Sequence, residues 1–235
     1  MLTSALFFGF LLAALLIIVA PRPDESSTMP FRFRLDPLRR LLFAAALSAL
    51  VALPLAGCGK KPLHWDMSNV SDVLADLRLF DMVSADTGKP ASAKDFRGKV
   101  VVLYFGYTHC PDVCPLTMSH LASAVSSLGP QAAEVRILFV SVDPARDTLP
   151  ILKAYVQAFS PQAVALRGTL PEIEAMTKLY HVAFSYGDKD AQGNYVVNHS
   201  AAIYVFDKQG HSMLIGSDQT RPEAIAHDLR QLVQQ

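Results

Sequence analysis

Two cysteines, Cys110 and Cys114, lie in the proline-flanked sequence CPDVCP, just after an apolar run. The run, residues 100–105, is rich in β-branched and aromatic side chains, which predicts a buried strand that ends near Gly106. Pro115 suits the first position of a helix, where its missing N–H needs no partner, so Cys114 is predicted to be the N-cap residue. The helix dipole is expected to lower the pKa of a cysteine there. The thiols are therefore candidates for a nucleophile or a soft metal ligand.

The spacing of the two cysteines distinguishes two kinds of thiol chemistry. Three residues separate them in this chain, whereas thioredoxin-type oxidoreductases have two residues between their cysteines. The longer loop lets both sulfurs converge on one ion. Two thiolates select Cu(I) or Zn, and an added imidazole suits copper. The alternative, a structural cysteine pair, fits less well because buried structural thiols do not usually sit in proline-flanked loops at helix N-termini.

Three stretches of the chain together resemble the Sco (SenC) family of copper chaperones: FGYTHCPDVCP, VSVDPARDT at residues 140–148 and VNHSAAIYVFDKQG at residues 197–210. The resemblance covers the chain from about Leu77 to the C-terminus. It implies a thioredoxin-like fold and a role in assembling the binuclear copper centre of cytochrome c oxidase. It also implies that copper is held by Cys110, Cys114 and His199.

The sequence around His199 favours metal binding over general disulfide exchange. In a thioredoxin-like fold this loop faces the active-site loop, and a redox enzyme of that fold has a proline in it, which this chain lacks. Asn198 stands where the family commonly has Asp. Asp143 follows a predicted strand, at the edge where open α/β sheets bind ligands. Both side chains are candidates for supporting the metal ligands, although Asp143 is equally well explained as a turn residue before Pro144.

The N-terminal part of the chain carries targeting signals. Residues 1–28 contain an apolar run of about 16 residues and are expected to be an extra hydrophobic segment or a misassigned start. A complete signal begins again at Met29, because residues 29–57 contain a basic region, an apolar stretch and small residues in the order typical of a signal peptide.

The signal ends in Leu-Ala-Gly before Cys58, which resembles the lipobox of bacterial lipoproteins and implies lipid on Cys58. The alternative is a transmembrane anchor with an incidental cysteine. Residues 58–71 are polar and are predicted to be a tether, followed by a domain of residues 72–235. This organisation predicts a periplasm-facing lipoprotein of a bacterial cell envelope, without indicating which membrane carries it.

The rest of the chain alternates predicted strands and helices and ends in a hairpin and a helix. Strands are predicted at residues 77–83, 100–105, 135–142, 163–166, 201–206 and 212–215, and helices at residues 115–128, 149–159, 171–180 and 221–233. This order predicts an α/β domain. Because the cysteine pair lies at a strand-to-helix junction, the predicted fold is thioredoxin-like, with helices flanking a central mixed sheet.

Composition and motifs together narrow the range of functions that the chain could have. The chain has 21 basic and 21 acidic residues, and it lacks the basic stripe that nucleic-acid binding requires. The predicted function is a membrane-tethered copper chaperone that binds metal when reduced and releases it when a Cys110–Cys114 disulfide forms. The expected partners are the copper-bearing oxidase subunit, another periplasmic copper chaperone or thiol reductase, and membrane lipid.

Two alternatives use the same residues. One is a thiol–disulfide reductase that keeps the oxidase cysteines reduced, and the other is a copper or redox sensor that acts through a partner. The sequence favours a metallochaperone and leaves open whether the chain is also an enzyme.

Overall fold

The computed structural model describes residues 63–235, within a compact unit that runs from Lys61 to Gln235. The predicted segments 1–28 and 29–57 and the predicted lipid site Cys58 lie outside the described residues. Among residues 63–235, no helix is both long and apolar enough to cross a membrane.

The described part of the chain contains nine strands and four α-helices. The strands are β1 (Ser68–Asn69), β2 (Val83–Ser84), β3 (Val100–Gly106), β4 (Val135–Ser141), β5 (Ala163–Arg167), β6 (Phe184–Tyr186), β7 (Val197–His199), β8 (Ala202–Phe206) and β9 (Ser212–Ser217). The helices are α1 (Val113–Ser126), α2 (Leu149–Gln157), α3 (Leu170–Leu179) and α4 (Pro222–Val233), with short 3-10 turns at Ala93–Phe96 and Gly129–Glu134.

Seven of these strands form one mixed sheet, in the order β1-β9-β8-β3-β4-β5-β2. Strands β3, β4 and β5 are parallel, and the other neighbouring pairs are antiparallel. Every residue of β3 is buried, as expected for a central strand that is covered on both faces. The α/β architecture with a central mixed sheet is therefore confirmed.

The parallel register determines where the cysteine loop emerges. Gly106 at the end of β3 pairs with Ser141 at the end of β4, so the loops after both strands leave the sheet at the same edge. The loop after β3 carries Cys110 and leads into α1, which packs against α4. This edge is where open α/β sheets bind ligands.

The structure differs from the sequence prediction at several strands. The predicted strand at residues 77–83 is wrong, because Phe80 and Asp81 have φ angles of 45° and 59° and interrupt the extended backbone. Leu77 is nevertheless buried in the core. The separate hairpin of β6 and β7 was not predicted, because its short, largely exposed strands carry no clear period-2 apolar pattern.

The folded domain also begins earlier than residue 72. Strand β1 lies within the segment predicted to be a tether, and it pairs with β9 at the edge of the sheet. Met67 is buried, and its backbone N–H donates to the carboxylate of Asp228. The last part of the predicted tether, from Asp66 onward, is therefore attached to the domain.

Candidate metal centre

The two cysteines lie on either side of the start of α1. Cys110 is half-buried in the loop after β3, and Cys114 is fully buried in the first helical turn. Asp112 is the N-cap residue, so the prediction that Cys114 caps the helix is wrong. The helix begins at Val113, so Pro115 is its third residue. Proline is tolerated there because the first N–H groups of a helix have no partner within the helix. The Cys114 backbone N–H points towards the Cys110 sulfur, at 3.4 Å.

His199 reaches the cysteines from the hairpin outside the main sheet. It is the last residue of β7, and its Nε2 lies 3.2 Å from Sγ of Cys114. Its other ring nitrogen, Nδ1, lies 3.1 Å from the carbonyl oxygen of Ser200. Because a carbonyl only accepts, Nδ1 carries the proton in this contact, and the lone pair of Nε2 faces the sulfur.

The three predicted ligands therefore come together. The two sulfurs and one imidazole nitrogen all lie within 4.8 Å of one another. Metal–sulfur and metal–nitrogen bonds of about 2.0–2.3 Å would place one ion among these atoms after small side-chain movements. Two thiols and a neutral imidazole form a soft donor set that fits copper or zinc.

Aromatic side chains enclose the imidazole. The rings of Tyr104 and Tyr107 meet the His199 ring edge-on, with centroids 6.2 Å and 5.9 Å away. Burial lowers the pKa of His199, which keeps the ring neutral and able to act as a ligand. The buried hydroxyl of Tyr104 has no hydrogen-bond partner within the described residues, and Cys114 is one of its neighbours.

Burial also controls the chemistry of Cys114. Desolvation raises the pKa of its thiol to about 12, and a backbone hydrogen bond offsets only part of this increase. The expectation that the helix dipole would lower the pKa is therefore wrong for Cys114, because the loss of hydration outweighs the dipole. A bound cation would remove this penalty, since it stabilises the thiolate directly.

Asp147 is a site residue that sequence reasoning missed. Its fully buried carboxylate accepts hydrogen bonds from the hydroxyls of Thr108 and Ser141, both at 2.6 Å, and from the Thr108 backbone N–H. Thr108 lies two residues before Cys110, so Asp147 holds the cysteine loop against the end of β4. The available signal was an acidic residue after a parallel strand, and Asp143 carries the same signal four residues earlier.

Gly106 is a second residue that was not identified. A Cβ atom at this position would lie 3.0 Å from the Cys114 sulfur and 2.9 Å from Cε2 of Phe139. Any side chain at the end of β3 would therefore collide with the thiol. A glycine inside a strand pattern often marks such a close approach, and this was the available signal.

Asp143 does not reach the thiols directly. Its buried carboxylate accepts hydrogen bonds from Arg146 and from the Tyr195 hydroxyl, the latter at 2.7 Å. The Arg146 guanidinium carbon lies 3.7 Å from the Tyr195 ring centroid and 5.6 Å from that of Tyr107. Asp143 therefore fixes the hairpin that carries His199 to the loop after β4.

Asn198 lies on the opposite face of β7 from His199, because successive strand residues alternate in direction. Its side chain is exposed, and it makes no hydrogen bond within residues 63–235. The described residues therefore show no contact through which Asn198 could support the metal ligands. His109, next to Cys110, contacts Thr108 and lies 3.8 Å from Asp147, outside the group of three donors.

Comparison with known proteins gives consistent results. Residues 76–234 match the SCO1/SenC family model. The mitochondrial SCO2 homologue of Bos taurus is 42% identical over 125 residues, which cover 52% of this chain and 47% of the relative. The chain thus spans about half the length of this relative.

Solved structures show the same domain. ScoI of Bradyrhizobium japonicum with copper bound is 33% identical, with a TM-score of 0.60 over 65% of this chain and 96% of that chain. A SCO1/SenC family lipoprotein from Bacillus anthracis is 30% identical, with a TM-score of 0.55 over 74% and 98%. The fold is therefore thioredoxin-like, and the chain belongs to the SCO1/SenC family.

Proposed function

We propose that this chain is a copper chaperone that binds one copper ion through Cys110, Cys114 and His199. One observation carries the proposal, namely that the imidazole Nε2 lies 3.2 Å from the Cys114 sulfur with its lone pair facing it. Disulfide exchange needs only the two thiols, whereas a metal site gains a third ligand from the imidazole. The copper bound to ScoI of B. japonicum supports this choice of metal.

Copper is the cargo of this protein, and the arrangement of the ligands suits transfer. Cys114 is fully buried, while Cys110 and His199 are half-buried and belong to a loop and a hairpin outside the central sheet. A partner can therefore replace these two ligands without opening the core. The proposed recipient is the copper-bearing subunit of cytochrome c oxidase, as the family resemblance implies.

The cysteine pair also gives the proposed chaperone a redox gate. Both thiols are free in the structure. If a partner disulfide oxidises them by exchange, a Cys110–Cys114 disulfide forms, the partner's two sulfurs become thiols, and two of the three ligands are lost. Copper binding is thus expected only in the reduced protein.

The proposed location is the periplasmic side of a bacterial membrane, with lipid on Cys58 as the anchor. The order of charged, apolar and small residues in 29–58 supports this proposal. The B. anthracis relative described as a lipoprotein gives further support. Mass spectrometry of the membrane fraction should find acylated Cys58 as the mature N-terminus, and a mature protein that retains residues 29–57 would contradict it.

Copper titration of the complete chain tests the central proposal. We expect one Cu(I) per reduced protein and none at this site after oxidation. With Cu(II), sulfur-to-copper charge-transfer absorption should appear, and it should vanish in the Cys110→Ala and Cys114→Ala variants. Undiminished charge-transfer absorption in either variant would overturn the ligand assignment.

A thiol–disulfide reductase is the second candidate, and one contact favours it. The Cys114 backbone N–H faces the Cys110 sulfur, and Cys110 is the more exposed of the two cysteines. A backbone donor of this kind supports a thiolate nucleophile as well as a thiolate ligand. Replacing His199 separates the two functions, since disulfide exchange does not need the imidazole.

A further inference from the structure

A second group of metal-ligating side chains lies between the start of the described chain and helix α4. We propose that Asp66, His227 and Asp228 form a second metal site, which takes a divalent cation of the zinc class. None of these three residues belongs to the thiol site.

The three donor atoms lie close enough together to share one cation. Nδ1 of His227 lies 3.1 Å from Oδ2 of Asp66 and 3.0 Å from Oδ1 of Asp228, and all three lie within 4.8 Å of one another. Ligand atoms of a tetrahedral zinc site are about 3.3 Å apart, given metal–ligand bonds of about 2.0 Å. Only small movements would therefore place a cation among them.

The central carboxylate is held in a fixed orientation. Asp228 is completely buried, and its two oxygens accept hydrogen bonds from the backbone N–H groups of Asp66 and Met67, at 2.8–3.1 Å. Hydrogen bonds that orient a ligand in this way are typical of protein metal sites. The neighbouring backbone thus fixes one ligand before any cation binds.

Solvent can reach the site and complete the shell of ligands. The side chains of His227 and Asp66 are 44% and 42% exposed, so a cation can enter without opening the domain. A surface cavity of about 530 Å³ is lined by Asp66 and His227 together with the polar residues Ser217, Thr220 and Glu223. This space accommodates the water ligands that a site with three protein ligands requires.

The donor atoms of the second site predict a preference for different metal ions from those that the thiol site binds. One imidazole and two carboxylates suit Zn²⁺, Ni²⁺ or Cu²⁺, whereas Cu(I) prefers thiolates. The second site should therefore bind divalent cations and leave Cu(I) to the cysteines. A bound cation would join the segment at Asp66 to α4 and stabilise the folded state by mass action.

The other explanation of these contacts is a His227 whose Nδ1–H donates to the two carboxylates and never binds metal. Zinc titration separates the two explanations. The experiment uses the complete chain with Cys110→Ser and Cys114→Ser, because these substitutions remove the ligands of the thiol site. Zn²⁺ is the probe because it undergoes no redox chemistry. Calorimetry should find one zinc per chain, and zinc should raise the melting temperature.

His227→Ala and Asp66→Asn in the same background should each weaken zinc binding at least about tenfold and abolish the rise in melting temperature. The matched control is His211→Ala, because His211 is also an exposed histidine beside an aspartate, with Nδ1 2.9 Å from Oδ2 of Asp207. It should leave zinc binding unchanged. The proposal is overturned if the double serine variant binds no zinc, or if His227→Ala and Asp66→Asn bind it as tightly as their parent. These outcomes do not depend on whether the thiol site carries copper.

Discussion

Sγ of Cys114 and Nε2 of His199 lie 3.2 Å apart, although 85 positions separate the two residues in the chain. The contact joins the buried start of α1 to a hairpin that is not part of the central sheet. The predicted properties of the thiol site follow from this contact and from the residues that maintain it.

Replacing His199 with alanine should weaken Cu(II) binding severely and Cu(I) binding less. Two thiolates alone can hold Cu(I), whereas Cu(II) needs the nitrogen ligand. Reduction of a model disulfide should proceed at nearly the wild-type rate, since both thiols remain. Copper affinity for both oxidation states and the rate of disulfide reduction are the measurements.

The matched control for this variant is His109→Ala, in the cysteine loop but outside the donor group. It should leave copper affinity unchanged. In cells, the His199→Ala strain should lose oxidase activity. If oxidase assembly is normal in that strain while Cys110→Ala abolishes it, the reductase explanation replaces the chaperone explanation.

Gly106→Ala should displace the Cys114 sulfur and so weaken the metal site. The new methyl group would lie 3.0 Å from the Cys114 sulfur and 2.9 Å from Phe139, so both must shift. We expect a loss of about 1–3 kcal/mol in the free energy of unfolding, together with weaker Cu(I) binding. Denaturant unfolding and copper competition measure the two effects separately.

A second variant distinguishes the two collisions of Gly106→Ala. Adding Phe139→Leu should relieve the ring contact and recover part of the stability, but the sulfur contact would remain, so copper affinity should stay low. Full recovery of copper affinity in the double variant would show that the Cys114 sulfur is not displaced by the methyl group.

Asp147→Asn should loosen the loop that carries Cys110. An amide cannot accept all the hydrogen bonds that Thr108 and Ser141 donate, because one of its two polar atoms is itself a donor. We expect a loss of about 1–3 kcal/mol in stability, faster alkylation of Cys110 and weaker copper binding. The control is Asp86→Asn, at an exposed aspartate. An Asp147→Asn variant with wild-type alkylation kinetics would contradict the proposed role of this carboxylate.

The two cysteines should differ in their reactivity in the metal-free, reduced protein. Burial raises the pKa of Cys114 to about 12, so at pH 8 this thiol is almost entirely protonated. Iodoacetamide should therefore modify the half-buried Cys110 first. The Cys114 rate should rise with pH up to about 12, because the raised pKa keeps the proton bound below that value. Peptide mapping after timed alkylation measures both rates, and equal rates at pH 8 would contradict the burial argument.

The sequence by itself determined the parts of the structure that depend on local pattern. The apolar run at residues 100–105 is long and β-branched enough to be the central strand, and Pro115 placed the start of α1 within two residues. The motif around Cys110 and Cys114 and the segment around His199 carry the family resemblance, which implied the three donors.

Only the tertiary structure decided how these residues are held and how their chemistry is tuned. The burial of Cys114 depends on packing between distant elements, and it reversed the pKa shift that the helix position alone had suggested. The supporting role of Asp147 and the close approach of Gly106 to the sulfur arise from the parallel pairing of β3 with β4, which no local pattern specifies. The contacts of Asp66 with His227 and Asp228 likewise join residues more than 160 positions apart, so only the folded chain brings these donors together.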